Sequence, residues 1–275
     1  GGTRLKSSVL GAAVEQVMQT SARFEAAIDV VSENPEMPGS LSLSFRGGYD
    51  LPNQATTMEM DLSGFVDAMA AQAEANGEND FAEFAGIFAE PMRVITIGDE
   101  SWVQGGFFSM FGIEPGMWLA MEATDSEGTI EDFASMGAPL NPTDLLAQFE
   151  EANVSISELG TETIRGVETS HHVAEIDIAG LEEMAGDLNA EERAELEESL
   201  SQFGELDTLV LDFWIGDDGL LRRMEFMVDT SDLPDNDGIV AFTMTFELYD
   251  YGSDLGITAP DPSLVVDEAN WFASE

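Results

Sequence analysis

The sequence predicts an α+β fold: one strongly curved antiparallel β-sheet of about ten strands, with helices covering its concave face. Three observations predict it. Residues 207–260 alternate apolar and polar side chains through three successive runs, the signature of half-buried strands. The alternation gives way twice to helical spacing, in segments 64–90 and 178–204. The apolar members are rich in Phe and Met, 17 and 14 in a chain of 275 residues, so the apolar face is too large to be left to water.

The clearest element is the closing meander. Leu209, Leu211, Phe213 and Ile215 recur at every second position. Asp217, Asp218 and Gly219 form a hairpin turn. Leu220, Met224, Phe226 and Val228 return, and after a polar break Val240, Phe242, Met244, Phe246 and Leu248 alternate again. One face is apolar and the other polar, as in an antiparallel sheet.

Upstream, residues 7–19 place Val9, Leu10, Ala13, Val14, Val17 and Met18 on one helical stripe. Strands are expected at Phe24–Ala26–Ile28–Val30, at Leu41–Leu43–Phe45 and at Met58–Met60–Leu62, with turns at SENPEMPG and GGYDLPN. Segment 64–90 is Ala-rich, with helical spacing broken near Asn76 and Gly77. Strands follow at 92–97 and 102–104, then a Met- and aromatic-rich stretch of loop and strand. Residues 141–153 read as a short helix with Pro142 in its first turn. Residues 154–178 give two or three strands. Asn189 caps a helix at 190–203. The tail packs Val265, Trp271 or Phe272 on the body. No fixed-period repeat or linker divides the chain, so a single domain spanning 1–275 is expected.

Charge is the second constraint. There are 55 acidic residues against 9 basic ones, a net charge of −46. The acids are spread along the chain. A diffuse excess predicts a hydrated, salt-tolerant surface of halophilic type rather than a localised ion site. It excludes nucleic acid as a partner, since that needs a basic footprint, and it opposes docking on anionic headgroups. With no cysteine, disulfides, thiolate metal sites and Cys nucleophiles are excluded.

Motifs for catalysis are absent: no GxSxG, HExxH, phosphate-binding loop or dinucleotide fingerprint occurs. His171 and His172 are adjacent, so on a strand they point to opposite faces and cannot share a metal. Among 55 acids no carboxylate pair stands out as a hydrolase dyad. The loop carrying Asp232, Asp235 and Asp237 resembles part of a calcium loop but lacks its bidentate Glu, and reads as a polar turn. The chain is therefore expected to be no enzyme, with no cofactor and no metal.

The better candidate is the inner sheet face, where Leu43, Phe45, Met58, Met60, Leu62, Leu211, Phe213, Met224, Phe226, Phe242, Met244 and Phe246 are expected to meet. These residues either form a core beneath the helices or line a cavity for flexible acyl chains, to which Met adapts well.

A resemblance bears on that choice. WIGDDGLLRRMEF and FELYDYGSDLGITAPDPSLVVD resemble the closing strands of the actinobacterial LppX/LprG-type lipoproteins, which are similar in fold to the LolA/LolB lipoprotein carriers. LGTETIRGVETSHHVAEIDI is similar to the family's middle hairpin, GDESWVQGG with MWLAME to the preceding strand pair, and SARFEAAIDV to its start. The resemblance covers most of the chain. It implies a LolA-like half-barrel and an extracytoplasmic, membrane-anchored cell-envelope lipoprotein. Such a protein would hold a lipid or glycolipid between sheet and helices, for transport or handover to an envelope transport protein. It also implies a signal peptide and a lipidated Cys ahead of Gly1, with residues 1–6 as the tether. The alternative is a sensor or protein-interaction module of the same fold without carrier activity.

The charge yields a direct prediction. The melting temperature should rise steadily between ~0.1 M and ~2 M NaCl, because screening removes self-repulsion among the carboxylates. Equal thermal stability at both concentrations would remove the halophilic reading.

Overall fold

The structure, a computed structural model, describes residues 13, 16–17, 19–34, 37–77, 86–88, 90–122, 155–177, 208–230 and 238–267. Twelve strands occur among them, against about ten expected. They are β1 (Ser21–Ser32), β2 (Ser40–Asp50), β3 (Ala55–Asp61), β4 (Met92–Ile97), β5 (Glu100–Gln104), β6 (Trp118–Glu122), β7 (Ser155–Ile164), β8 (Val167–Asp177), β9 (Thr208–Gly216), β10 (Leu221–Asp229), β11 (Ile239–Tyr249) and β12 (Val265–Asp267). One α-helix, α1 (Ser63–Asn76), is fully described. The residues form two compact units. A five-strand unit takes residues 1–17 and 141–247, and a seven-strand unit takes residues 18–140 and 248–275.

In the five-strand unit the strand order is β11-β10-β9-β8-β7, antiparallel throughout. The β9–β10 hairpin turns where the sequence places it. Gly219 takes a positive φ of 79°, open to glycine without steric cost. Its N–H donates to the Gly216 carbonyl at 2.9 Å, and Asp218 accepts from the Leu220 N–H at 3.1 Å. Ala13 and Val17, both helical, are buried four residues apart, on the stripe expected there. The stretches 141–153 and 178–204, expected to be helical, lie outside the described residues, as do the tether 1–6, most of the loop with Asp232 to Asp237, and Trp271 and Phe272.

In the seven-strand unit the order is β12-β6-β5-β4-β3-β2-β1. Only β12 runs parallel to its neighbour, pairing Val265 with Trp118 and Val266 with Leu119. A three-residue strand is too short to show a period, which is why the tail reads only as packing. Helix α1 starts where β3 ends: Asp61 accepts the Ser63 N–H at 2.9 Å, and the Val66 N–H donates to Leu62 O at 2.9 Å. It stops at Gly77, whose φ of 80° lets its N–H reach the Ala73 and Glu74 carbonyls. Between these ends α1 packs on β2.

One expectation is corrected. GGYDLPN was expected to turn, but β2 runs on through Gly47, Gly48, Tyr49 and Asp50, and only Leu51–Asn53 forms the turn. The Asp50 carboxylate accepts from Asn53 N–H, and Gln54 takes the left-handed conformation. The glycines answer a packing need instead. A Cβ on Gly47 would lie 2.1 Å from the Thr57 carbonyl oxygen and 2.9 Å from the Phe24 ring. The Phe24 ring thus covers backbone that a side chain would otherwise cover. On Gly48, Leu255 of the C-terminal segment occupies the corresponding space, 2.7 Å from such a Cβ.

Gly47→Ala should therefore destabilise the protein by about 2 kcal/mol or more, since the obstacle is backbone that cannot move aside. Ser44→Ala, at an exposed position on the same strand, should change stability by less than ~0.5 kcal/mol. Chemical denaturation of the two variants checks this.

Candidate apolar binding faces

The register decides which side chains share a face. In the five-strand unit His172, Phe213, Met224 and Phe246 lie directly opposite one another in a row across β8, β9, β10 and β11. The next row is Ala174, Leu211, Phe226 and Met244, with Ile156 of β7 facing Ala174. A third pairs Val228 with Phe242. All seven residues expected from this part of the sequence (Leu211, Phe213, Met224, Phe226, Phe242, Met244 and Phe246) are therefore on one face. Phe213 is only 1% exposed, while Phe242 is half-buried against Phe226 at 5.4 Å between ring centroids.

The seven-strand unit repeats the pattern. Ala26, Phe45, Met60 and Met92 form one row, and Phe24, Gly47, Met58, Val94, Val103 and Leu119 form another. Leu43 faces Ile28. Leu62 follows β3 and is buried at the start of α1. Leu43, Phe45, Met58 and Met60 thus share a face within this unit.

The opposite faces are polar in equally regular rows. Glu25, Arg46, Glu59, Arg93 and Gln104 run across β1 to β5. Glu59 pairs with Arg46 and, at 3.0 Å, with Arg93. Burial opposes its ionisation, but the two guanidinium groups outweigh burial and hold its carboxyl below the usual glutamate range. In the five-strand unit His171, Trp214, Arg223 and Glu247 form the matching row. The His171 and Trp214 rings stack at 4.2 Å, and the Arg223 guanidinium lies 5.1 Å from the indole centroid. His171 Nε2 donates to Asp212 at 2.7 Å, and the indole N–H donates to Glu162 at 3.0 Å.

The two histidines thus do point to opposite faces, as adjacency on a strand requires. His171 belongs to the polar ladder. His172 belongs to the apolar row, is 4% exposed, and stacks on Phe213 at 5.2 Å with 22° between ring planes. Its Nδ1 is buried with no hydrogen-bond partner. Burial pushes its pKa below the ordinary 6.5, against the pull of Glu158 on β7. His172 was not among the expected site residues, because a histidine at an apolar position breaks the hydrophobic pattern that marked the others. The alternation Ile176–Ala174–His172 is the signal that places it.

Among the described residues no group of three His, Asp or Glu side chains is placed to hold a metal ion, and no helix is long and apolar enough to cross a membrane.

Comparison with known proteins finds similarity at low identity. No family model matches the chain. An uncharacterized 31.2 kDa protein of Streptomyces griseus, from the rplA-rplJ intergenic region, is 28% identical over 116 residues, 42% of this chain. That match spans only 35% of the Streptomyces protein. The crystal structure of Mycobacterium tuberculosis lipoprotein LppX is similar over 92% of this chain and 97% of its own, at 12% identity and a TM-score of 0.47. LprF from Mycobacterium bovis is similar over 92% of this chain and 96% of its own, at 12% identity and a TM-score of 0.42.

The buried imidazole makes a pH prediction. His172 has a lowered pKa in the folded state, so between its folded and unfolded values the unfolded chain binds more protons. Its contribution is complete above about pH 6.5 and is lost as pH falls below that value toward the folded pKa. The wild type should lose stability through this window, and His172→Phe should lose less. Equal slopes in denaturation measured from pH 7.5 to 5 would refute it.

Proposed function

We propose that this chain is a non-enzymatic, extracytoplasmic lipid-binding protein of LolA-like half-barrel architecture, its concave face covered by helices. The apolar faces take the acyl chains of a lipid or glycolipid during transport or handover, and an N-terminal lipid anchor tethers the protein to the membrane. One observation carries this reading. Phe and Met side chains from three adjacent strands, β9, β10 and β11, line up in register on one face, with Asp212, Arg223, Glu225 and Glu247 on the other. Such a face binds by burial: each methylene removed from water contributes about 0.8 kcal/mol, so two acyl chains suffice for tight binding. Methionine supports it, because an unbranched thioether follows the shape of a flexible chain. The sequence resemblance to the LppX/LprG-type lipoproteins supports the same class.

Organic extraction of protein purified from its native host in high salt, followed by lipid mass spectrometry, tests the proposal. A stoichiometric lipid is expected. Phe242→Asp, at a half-buried position, should lose that lipid while still unfolding cooperatively, because a carboxylate on the apolar surface opposes acyl contact. Absence of a lipid, together with no uptake of a fluorescent fatty acid by the wild type, would sink the carrier reading in favour of a protein-interaction module.

A further inference from the structure

We propose that His172 is the polar recognition point of the five-strand apolar face, and that the ligand it selects carries an uncharged oxygen, an ester carbonyl above all, next to its acyl chain. The inference rests on the reading of that face as a lipid surface and names the class of lipid it takes.

The geometry is specific. Row by row, the face is hydrocarbon, thioether or aromatic from Phe246 through Met224 to Phe213, and then meets one imidazole. Beyond His172 the same row reaches Glu158, exposed on β7, which is the edge strand of the sheet. The row therefore runs from apolar interior to solvated edge, with His172 at the junction. An acylated molecule has the same order: chain, then ester, then headgroup.

The imidazole is held and incomplete at once. Stacking on Phe213 fixes its plane. Its Nδ1 is buried without a hydrogen-bond partner, and a buried polar atom in that state costs free energy that a ligand atom can recover. Burial also keeps the ring neutral near pH 7, so it offers one N–H and one lone pair rather than a cation.

The surroundings set the charge of the ligand. Among the described residues all six arginines are engaged with carboxylates: Arg23, Arg46, Arg93, Arg165, Arg222 and Arg223. Arg23, Arg46, Arg93 and Arg223 stand in the polar registers of their strands, opposite the apolar rows. A phosphate or free carboxylate would meet a neutral ring beside Glu158, with no cation from these rows to balance it. An ester or a hydroxyl meets a partner of matching polarity.

The test uses three probes on the whole chain: a pyrene-labelled fatty acid as its methyl ester, the methyl ether of the same chain, and the free carboxylate. Wild type should bind the ester about 10-fold more tightly than the ether, and the carboxylate more weakly than the ester. His172→Phe should bind ester and ether equally, with ether affinity within about twofold of wild type. A second measurement needs no variant. With only two histidines in the chain, 15N-histidine labelling gives two imidazoles, and the ester should shift the Nδ1 resonance of His172 while leaving His171 in place. An ester preference that survives in His172→Phe, an Nδ1 resonance unmoved by bound ester, or a carboxylate that outcompetes the ester would each overturn the inference. If the ether fails to bind wild type as well, the lipid-surface reading itself falls, a result distinct from loss of selectivity alone.

Discussion

Cross-strand register is the constraint on which the rest depends. Side chains on a strand alternate between faces, so a slip of one residue would transfer every apolar group to the charged side. In this chain the two sides differ to an extreme degree. Phe213, Met224 and Phe246 lie in one row, and Trp214, Arg223 and Glu247, each one residue away, lie in the row behind. A slip would bury Arg223 and Glu247 and expose Phe213 and Met224 together. The cost of misregister is thus summed over many strands, and the charge pattern specifies the pairing as strongly as the apolar one does.

The scarcity of basic residues gives that pattern a second role. With 55 acids and 9 basic residues, each arginine can relieve repulsion among several carboxylates. The structure places arginines where that relief falls on paired strands. Arg46 and Arg93 flank Glu59 from β2 and β4, and Arg223 faces Glu247 across β10 and β11. Single cross-strand ion pairs contribute only about 0.2–1 kcal/mol, and exposed ones less in salt. Their value here lies in position: they let adjacent strands of an acidic sheet come together. The same engagement leaves these arginines committed to the scaffold, which bears on the charge of any ligand the protein can hold.

The parts of the fold legible in sequence were those with a period. Leu209 to Leu248 gave three strands and a turn at Gly219, and the structure keeps all of them. The seven apolar-face residues of β9, β10 and β11 were legible for the same reason, since period two places them on one side without reference to anything distant. Three features were hidden, each for a physical reason. Gly47 and Gly48 read as a turn because glycine permits turns, yet here they sit in a strand whose neighbours Thr57, Phe24 and Leu255 occupy the space of a side chain. That need is a tertiary contact, invisible locally. β12 pairs parallel with β6 across more than 140 residues of chain, and three residues carry no pattern. His172 was hidden by its own chemistry: hydropathy marks it polar, while its register places it between Ala174 and Phe213.

If the apolar rows hold acyl chains as proposed, they and His172 divide the work of binding and choosing. Apolar burial is strong but nearly blind: it scales with area and accepts any chain that fits, and methionine widens that tolerance. A face made of such residues alone would retain whatever lipid it met. One fixed polar atom changes this, because discrimination depends on differences between ligands rather than on total affinity. The Nδ1 of His172 is suited to that role: the ring is held by Phe213, and the atom lies out of water with its hydrogen bond unmade. Ligands that complete the bond gain over those that do not, by an amount small beside the burial of two acyl chains yet sufficient to choose among them.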